Sequence, residues 1–307
     1  MKFSKRRALI GFSVNPETTW NIIRQDGERI HAEFDTHMSG TSFDVALALK
    51  ACGVTPFIIG AIGPNSAKNS MVNAETKQGL RDSKIRAKLL PCRESSGLAS
   101  IVPGRNIRLG HKGPITRSIS NEAVQIDADF LPDYVIATGV AGGSEEELDS
   151  LKGLFSSPAI KILMPGFTLT ANAPMFKKAL AISDMVVMNE HEAANFLRVE
   201  PGKLTVKSIR KLLRFGPKVA VVTLGKRGVI AASSEPRSTF EIRGQEVETV
   251  DETGAGDCFC GFLIGALSRG DRSLEDSLKI ATIAGALKAS RLGTTNIPSW
   301  DEVISLM

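Results

Sequence analysis

Aromatic residues are scarce: one Tyr, two Trp and 14 Phe in 307 residues, 6% of the chain. That is too little stacking surface for a single-stranded nucleic-acid platform, which needs aromatic faces along a basic groove. Cysteine is sparse too. Cys52, Cys92, Cys258 and Cys260 form no CxxC pair, which excludes a disulfide scaffold and the usual zinc and redox spacings. Cys258 and Cys260, two apart, point to different faces of a helix, so reduced thiols in a cytoplasmic protein are implied. Apolar runs such as Phe259–Leu267 fall well short of the roughly 18 residues needed to span a bilayer. The charge excess is small, 38 basic against 33 acidic residues. It is too diffuse to indicate a nucleic-acid partner but would not repel an anionic ligand. No membrane partner is indicated either. Lys2, Lys5, Arg6 and Arg7 followed by Ala8–Phe12 imitate a signal peptide, yet the apolar stretch stops at Asn15-Pro16 with no small-residue cleavage site, so a first β-strand is expected.

What is present is a core. Hydrophobic residues make up 42% of the chain, enough to exclude wholesale disorder. Short apolar runs alternate with helical patterns: strands at Tyr134–Ala137, Ile160–Met164, Met185–Met188 and Val219–Leu224, and helices at Ser144–Phe155, Pro174–Ile182, Glu190–Leu197 and Ser208–Phe215. This rhythm implies βαβ units and a mainly parallel sheet. Ser144 with Glu147 makes a capping box that fixes one helix start. Lys207, Arg210, Lys211 and Arg214 form a stripe read as a solvated helix face. Segments 21–38 and 87–117 break the rhythm with strand-like alternation and turns, and read as a small β-flap. Without repeats or a Pro/Ser-rich linker, residues 1–307 are expected to form one domain.

The chemistry concentrates in Asp251-Glu252-Thr253-Gly254-Ala255-Gly256-Asp257. Phe259, Phe262, Leu263, Ala266 and Leu267 follow at helical spacing, so Gly254, Ala255 and Gly256 sit at a helix N-terminus. Backbone N–H groups there lack intrahelical acceptors and face the positive end of the dipole, which favours an anion. Glycine lets a phosphate approach without meeting a Cβ. Asp257, in the first turn, could take a proton from a hydroxyl while the amides hold developing phosphate charge. His191-Glu192-Ala193-Ala194-Asn195 is one residue from HExxH, but Asn195 replaces the second zinc ligand, which excludes a metalloprotease. No GxGxxG follows the first strand and no GxxxxGK[ST] occurs, so neither a dinucleotide dehydrogenase nor a P-loop enzyme is supported.

The 251–257 segment, with Phe259 and Gly261-Phe262, resembles the signature of the pfkB-type, ribokinase-like carbohydrate kinases. Asn189-Glu190-His191-Glu192 resembles that family's Asn-x-x-Glu motif, and Thr223-Leu224-Gly225 with Gly228 its nucleotide-binding strand and turn. Ala281–Leu287 with Arg291-Leu292-Gly293 resembles its closing helix and loop; Gly40–Asp44, Gly53 and Gly60–Gly63 resemble its N-terminal signature more loosely. The resemblance implies a three-layer α/β sandwich with a central, mostly parallel sheet and a small β-flap lid. It further implies transfer of the ATP γ-phosphate to a hydroxyl of a sugar or related polyol. Asp257 would be the general base, and Gly254, Ala255 and Gly256 the anion hole. Asn189 and Glu192 would organise Mg²⁺ through water, and Thr223, Gly225 and Gly228 would line ATP. Asp251 and Thr253 would help hold a monovalent cation, with K⁺ the candidate. Phosphoryl transfer depends chiefly on positioning and charge neutralisation, which suits this set.

The pattern departs at the acceptor end. Asn15 and Glu17 stand where an Asn and a sugar-binding Asp are usual, and near Gly40 the residues Ser39 and Asp44 replace a Gly and an Asn. Ionised Asp only accepts hydrogen bonds, so a pocket of Asp44 and Glu17 is expected to favour an acceptor rich in hydroxyl donors. The same carboxylates would oppose a phosphorylated acceptor unless Arg105, Arg108 or Lys112 offset them. Two alternatives follow: a nucleoside kinase of the same fold, and a non-catalytic regulatory homologue that binds nucleotide or sugar. A flap edge open to pairing would also allow a homodimer through the lid.

Overall fold

The computed structural model describes residues 6–12, 15–26, 29–92, 98–102, 107–111, 130–140 and 144–307. In chain order the strands are β1 (Arg7–Phe12), β2 (Asn15–Asp26), β3 (Arg29–Ser39), β4 (Thr55–Ile62), β5 (Arg86–Pro91), β6 (Leu98–Val102), β7 (Ile107–His111), β8 (Tyr134–Thr138), β9 (Ile160–Met164), β10 (Met185–Asn189), β11 (Val219–Thr223), β12 (Val229–Ser234) and β13 (Arg237–Ile242). The main sheet runs β13-β12-β11-β10-β9-β8-β1-β4-β5. It is parallel from β5 through β11, and only the β12–β13 hairpin at one edge is antiparallel.

Its inner strands are largely apolar because both faces are covered. In β1, Ala8 and Ile10 enter one core cluster while Leu9 enters the other; in β8, Tyr134 and Ile136 part from Val135 and Ala137 in the same way. The period-2 alternation of a strand thus sorts side chains between two cores instead of between core and water. Helices α1 (Thr41–Ala51), α2 (Ala67–Asp82), α8 (Ala255–Ser268), α9 (Leu274–Ala289) and α10 (Trp300–Ile304) cover the first face. Helices α3 (Glu145–Leu154), α4 (Gly166–Ala171), α5 (Ala173–Ala181), α6 (Glu190–Leu197) and α7 (Val206–Ile209) cover the second. The expected three-layer α/β sandwich is observed.

Helices α1 and α8 meet at backbone range. A Cβ built on Gly261 would lie 2.4 Å from Ala48 Cβ, and one on Gly265 2.4 Å from Cys52 Cβ. A second sheet, ordered β3-β2-β6-β7, stands apart from the first. It is anchored by α2, where a Cβ on Gly79 would meet Met38 Cβ at 2.2 Å. The flap segments therefore contribute β2, β3, β6 and β7. The stretch from Ala87 to Pro91 instead pairs with β4 and closes the main sheet as β5. Residues 112–117 of the expected flap lie outside the described residues, as do Arg105 and Lys112.

The expected β1, the strands and helices of 134–197, and the Ser144–Glu147 capping box are all present. Two boundaries differ. The helix expected at Ser208–Phe215 starts earlier, on a Thr205–Ser208 capping box, and continues from Arg210 to Phe215 as 3₁₀. The last long helix, which the near-apolar run of sequence places at Leu274–Leu292, ends at Ala289, where the carbonyl accepts from the N–H groups of Val250 and Asp251. The basic stripe faces solvent, with Lys207, Lys211 and Arg214 exposed. Among the described residues no helix is long and apolar enough to cross a membrane.

Candidate active site

Strand order reverses direction between β1 and β8: β4 and β5 extend one way, β9 to β11 the other. In open α/β sheets, ligands bind at such a switch, outside the carboxyl ends of the strands. A cleft of about 800 Å³ lies there. The ends of β8, β9, β10 and β11 contribute Gly139, Met164, Asn189 and Thr223 to its wall.

Local sequence explains each component. Asn189 ends β10 and caps α6: its side chain accepts from the Glu192 N–H at 3.0 Å, and Glu192 Oε2 accepts from the Asn189 N–H at 3.0 Å. This capping box holds the Glu192 carboxyl against the cleft. Burial pushes the Glu192 carboxyl above its ordinary range, more than the Asn189 hydrogen bonds lower it. Asn189 and Thr223 are register partners at the ends of adjacent parallel strands, which brings two distant motifs side by side. After Thr223 the chain turns through Gly225–Arg227, and the Leu224 N–H donates to the Gly228 carbonyl at 2.8 Å. Arg227 pairs with Glu190, whose Oε1 also accepts from the Gly202 N–H, so the turn is tied to the start of α6. Burial would raise the Glu190 carboxyl, but Arg227 and Gly202 together hold it below its usual range.

The turn before α8 is the third component. Gly254 is its N-cap at φ 79°, a left-handed conformation that favours glycine. The Ala255 N–H closes the turn on the Glu252 carbonyl at 3.2 Å. Gly256 is exposed, and a Cβ there would meet nothing within 4 Å, so its side of the turn opens directly into the cleft. Asp257 stands next to it, half-buried on the same wall. Among the three residues expected as anion donors, Ala255 is thus committed to the turn itself and Gly256 faces the open space.

Asp257, Gly254, Ala255, Gly256, Asn189, Glu192, Thr223, Gly225 and Gly228 therefore share one cavity. The remaining expected residues lie elsewhere. Asp251 and Thr253 are behind the turn, where Asp251 accepts from the N–H groups of Thr253 (3.0 Å) and Gly293 (3.1 Å). Gly40 is the N-cap of α1 at φ 96°. Asp44 is only 2% exposed. Its Oδ2 accepts from the Ser39 hydroxyl at 3.3 Å, and Ser39 Oγ accepts from the Thr294 hydroxyl at 3.1 Å. Between Gly40 and Asp44, Thr41 reaches the cleft wall. Asn15 and Glu17 are placed by backbone on β2, opposite Ser39 and His37; their side chains lie outside the described set.

Two contributions escaped the sequence reading. The α9 residues Gly285, Ala286 and Ala289, small residues whose sequence pattern suits close packing beside the neighbouring helix, also line the cleft. Gly285 does pack closely, since a Cβ there would meet the Ala255 carbonyl at 3.2 Å. The second is the strap after β13, which adds Gly244, Gln245, Val247 and Thr249. Its only local signal was a run without periodicity.

A protein-family model for pfkB family carbohydrate kinases matches residues 143–301, just over half of the chain. The chain belongs to the pfkB family. Within that family it is similar to a ribokinase of Haemophilus influenzae, 22% identical over 281 residues, 87% of this chain and 86% of that one. An adenosine kinase of Schizophyllum commune is 26% identical over 264 residues, covering 76% and 73%. A ribokinase of Staphylococcus aureus is 28% identical over 127 residues, so the match spans 41% of that protein's length. The fold of a putative Escherichia coli ribokinase II aligns at TM-score 0.78 with 19% identity, covering 98% of this chain and all of that one. The pfkB-type site makes one immediate expectation. Replacing Asn189 by Ala removes the cap of α6, costs about 1 kcal/mol of stability, and frees Glu192 from its box. Thermal melts should show the loss.

Proposed function

We propose that this chain is an ATP-dependent kinase that phosphorylates a hydroxyl of a sugar or nucleoside, with Asp257 as general base. One observation carries the reading. A single cleft at the carboxyl ends of the strands joins the Asn189–Glu192 box, the Thr223–Gly228 turn and the Gly254–Asp257 turn. Solved relatives of the same fold include a putative Escherichia coli ribokinase II in complex with ATP and Mg²⁺, at TM-score 0.77 and 19% identity.

The residues suit the nucleotide. The α9 wall of Gly285, Ala286 and Ala289 has no bulky side chain and leaves room for a flat base, while Gly256 and Asp257 stand where phosphate and acceptor would meet. Among the described residues no group of three or more His, Cys, Asp or Glu could hold a metal unaided. Mg²⁺ is commonly bound by one or two carboxylates plus substrate phosphates and waters, and the Glu192 carboxylate on the cleft wall fits that part. When bound, Mg²⁺ would neutralise phosphate charge.

Asp257 takes the proton as the acceptor O–H bond breaks. The freed oxygen pair forms a bond to the γ-phosphorus while the bond to the ADP oxygen breaks, and ADP leaves with that electron pair. The N–H of Gly256, backed by the positive end of α8, holds charge on the moving group.

The acceptor is the finer question. Similarity to both a ribokinase and an adenosine kinase keeps sugar and nucleoside in view. The test is ADP release from ATP with Mg²⁺ across ribose, fructose, other free sugars and adenosine. At least one acceptor should raise ADP formation far above hydrolysis in water. Nucleotide binding with no acceptor turned over anywhere in the panel would reject the catalytic reading in favour of a binding role.

A further inference from the structure

The most heavily buried charge in the described part of the chain is not explained by the reaction above. Lys288, near the end of α9, is 0% exposed. An ammonium taken out of water is costly unless opposite charge and hydrogen-bond acceptors surround it. Lys288 Nζ donates to the Arg291 carbonyl at 3.5 Å. It sits in the last turn of α9, whose carbonyls carry the negative end of the dipole. Its charge also reaches Asp251 and Cys258. Burial would raise the Asp251 carboxyl; the N–H groups of Thr253 and Gly293, with Lys288 behind them, hold it below its usual range.

The position matters. Gly285 and Lys288 are three residues apart and share a face of α9. That face packs on the start of α8, where Gly285 abuts the Ala255 carbonyl and Cys258 Sγ lies 3.5 Å from the Ala284 carbonyl. The loop entering the glycine turn is itself fastened to α9 by the N–H groups of Val250 and Asp251 on the Ala289 carbonyl, at 2.8 and 3.0 Å. So a fixed positive charge lies on the α9 face that packs against the start of α8, within electrostatic reach of Asp251. A monovalent metal ion held by Asp251 does not fit this arrangement. Each carboxylate oxygen accepts from a backbone amide, and a second cation there would meet like-charge repulsion from the buried ammonium.

We propose that Lys288 is the resident monocation of the Asp251–Gly256 turn, supplying from the chain itself the charge that Asp251 and Thr253 would otherwise require from K⁺. Lys288 is a positioning residue: it acts through Asp251 on the amides that face the phosphoryl group. The turnover half of the proposal rests on the kinase reading; the ion-binding half does not.

The experiment compares KCl with tetramethylammonium chloride at equal ionic strength, so that screening is constant. Both melting temperature and ADP release are read. Wild-type protein should give the same melting temperature and the same turnover in either salt. Lys288→Ala, which removes the charge and opens its space, should lose about 10²-fold in turnover in tetramethylammonium, comparable to losing an anion-hole donor. K⁺ should then recover most of that loss and raise the variant's melting temperature, as a ligand binding only the folded state does. Lys288→Met keeps the bulk without the charge and should be slow in both salts. Stabilisation or stimulation of the wild type by K⁺ overturns the proposal, as does a Lys288→Met enzyme of undiminished rate. So does a folded Lys288→Ala protein that ignores K⁺. If no acceptor is turned over by any form, the kinase reading falls, while the melting temperatures still decide whether Lys288 occupies an ion's place.

Discussion

Asp257→Asn should lower kcat for phosphoryl transfer by about 10²–10⁴-fold, the range spanned by a positioned general base, and leave nucleotide binding intact. Asn keeps the shape and the hydrogen-bonding reach of Asp but cannot take a proton at neutral pH. The side chain is half-buried in the first turn of α8. Its loss of charge there removes about 0.3–1 kcal/mol of interaction with the helix dipole, a small change in stability. The expected signature is thus a melting curve shifted only slightly, an unchanged nucleotide-induced thermal shift and a collapsed rate. Retention of more than a tenth of the wild-type rate would assign the proton to another group and leave Asp257 a helix-start acid.

Gly228→Ala should be the most damaging single substitution in the nucleotide turn. Gly228 has φ 97° and ψ −128°, a region that side chains other than hydrogen rarely enter and that costs about 1–3 kcal/mol in strain. Space is lacking as well. A Cβ would stand 2.1 Å from the Ile242 carbonyl oxygen and 2.5 Å from the Gly244 nitrogen. Both are backbone atoms, so relief requires moving β13 or the strap behind it, and overpacking of this kind adds about 1–3 kcal/mol. Gly244 reciprocates, since its own Cβ would meet the Lys226 carbonyl at 2.2 Å. The variant should lose several kcal/mol in a denaturant melt and bind ATP weakly even where folded. A melt within about 0.5 kcal/mol of wild type, the range of neutral surface changes, would contradict this close approach.

Strand and helix periodicity revealed the sandwich because both faces of the sheet are covered and each element is long enough to show its repeat. The pattern was weaker where one geometry yields to another. The 210–215 segment keeps helical spacing in sequence, yet follows α7 as a 3₁₀ turn. The β12–β13 hairpin carries small and polar residues at its edge and gave no strand signal of comparable strength. In the site, the glycine turn was legible because only particular residues tolerate Gly254 at φ 79° before a helix. Gly285 and Ala286 were not, since a small residue looks the same whether it admits a neighbouring helix or a ligand. Nor could the Ser39–Thr294 bond be foreseen between residues 255 positions apart. Lys288 was hidden by its own helix, where a lysine in the last turn reads as an ordinary exposed charge.

The near-contact of α1 with α8 bears on how such an enzyme could change its acceptor over evolutionary time. Gly261 and Gly265 bring the two helices together so closely that a single added methyl at either glycine would collide with Ala48 or Cys52. The span between Thr41 and Gly256 is therefore dictated by main-chain apposition, like two beams bolted flange to flange. On the kinase reading proposed above, substitutions elsewhere in the chain would leave that span, and with it the seat of the Gly254–Asp257 turn against α1, unaltered.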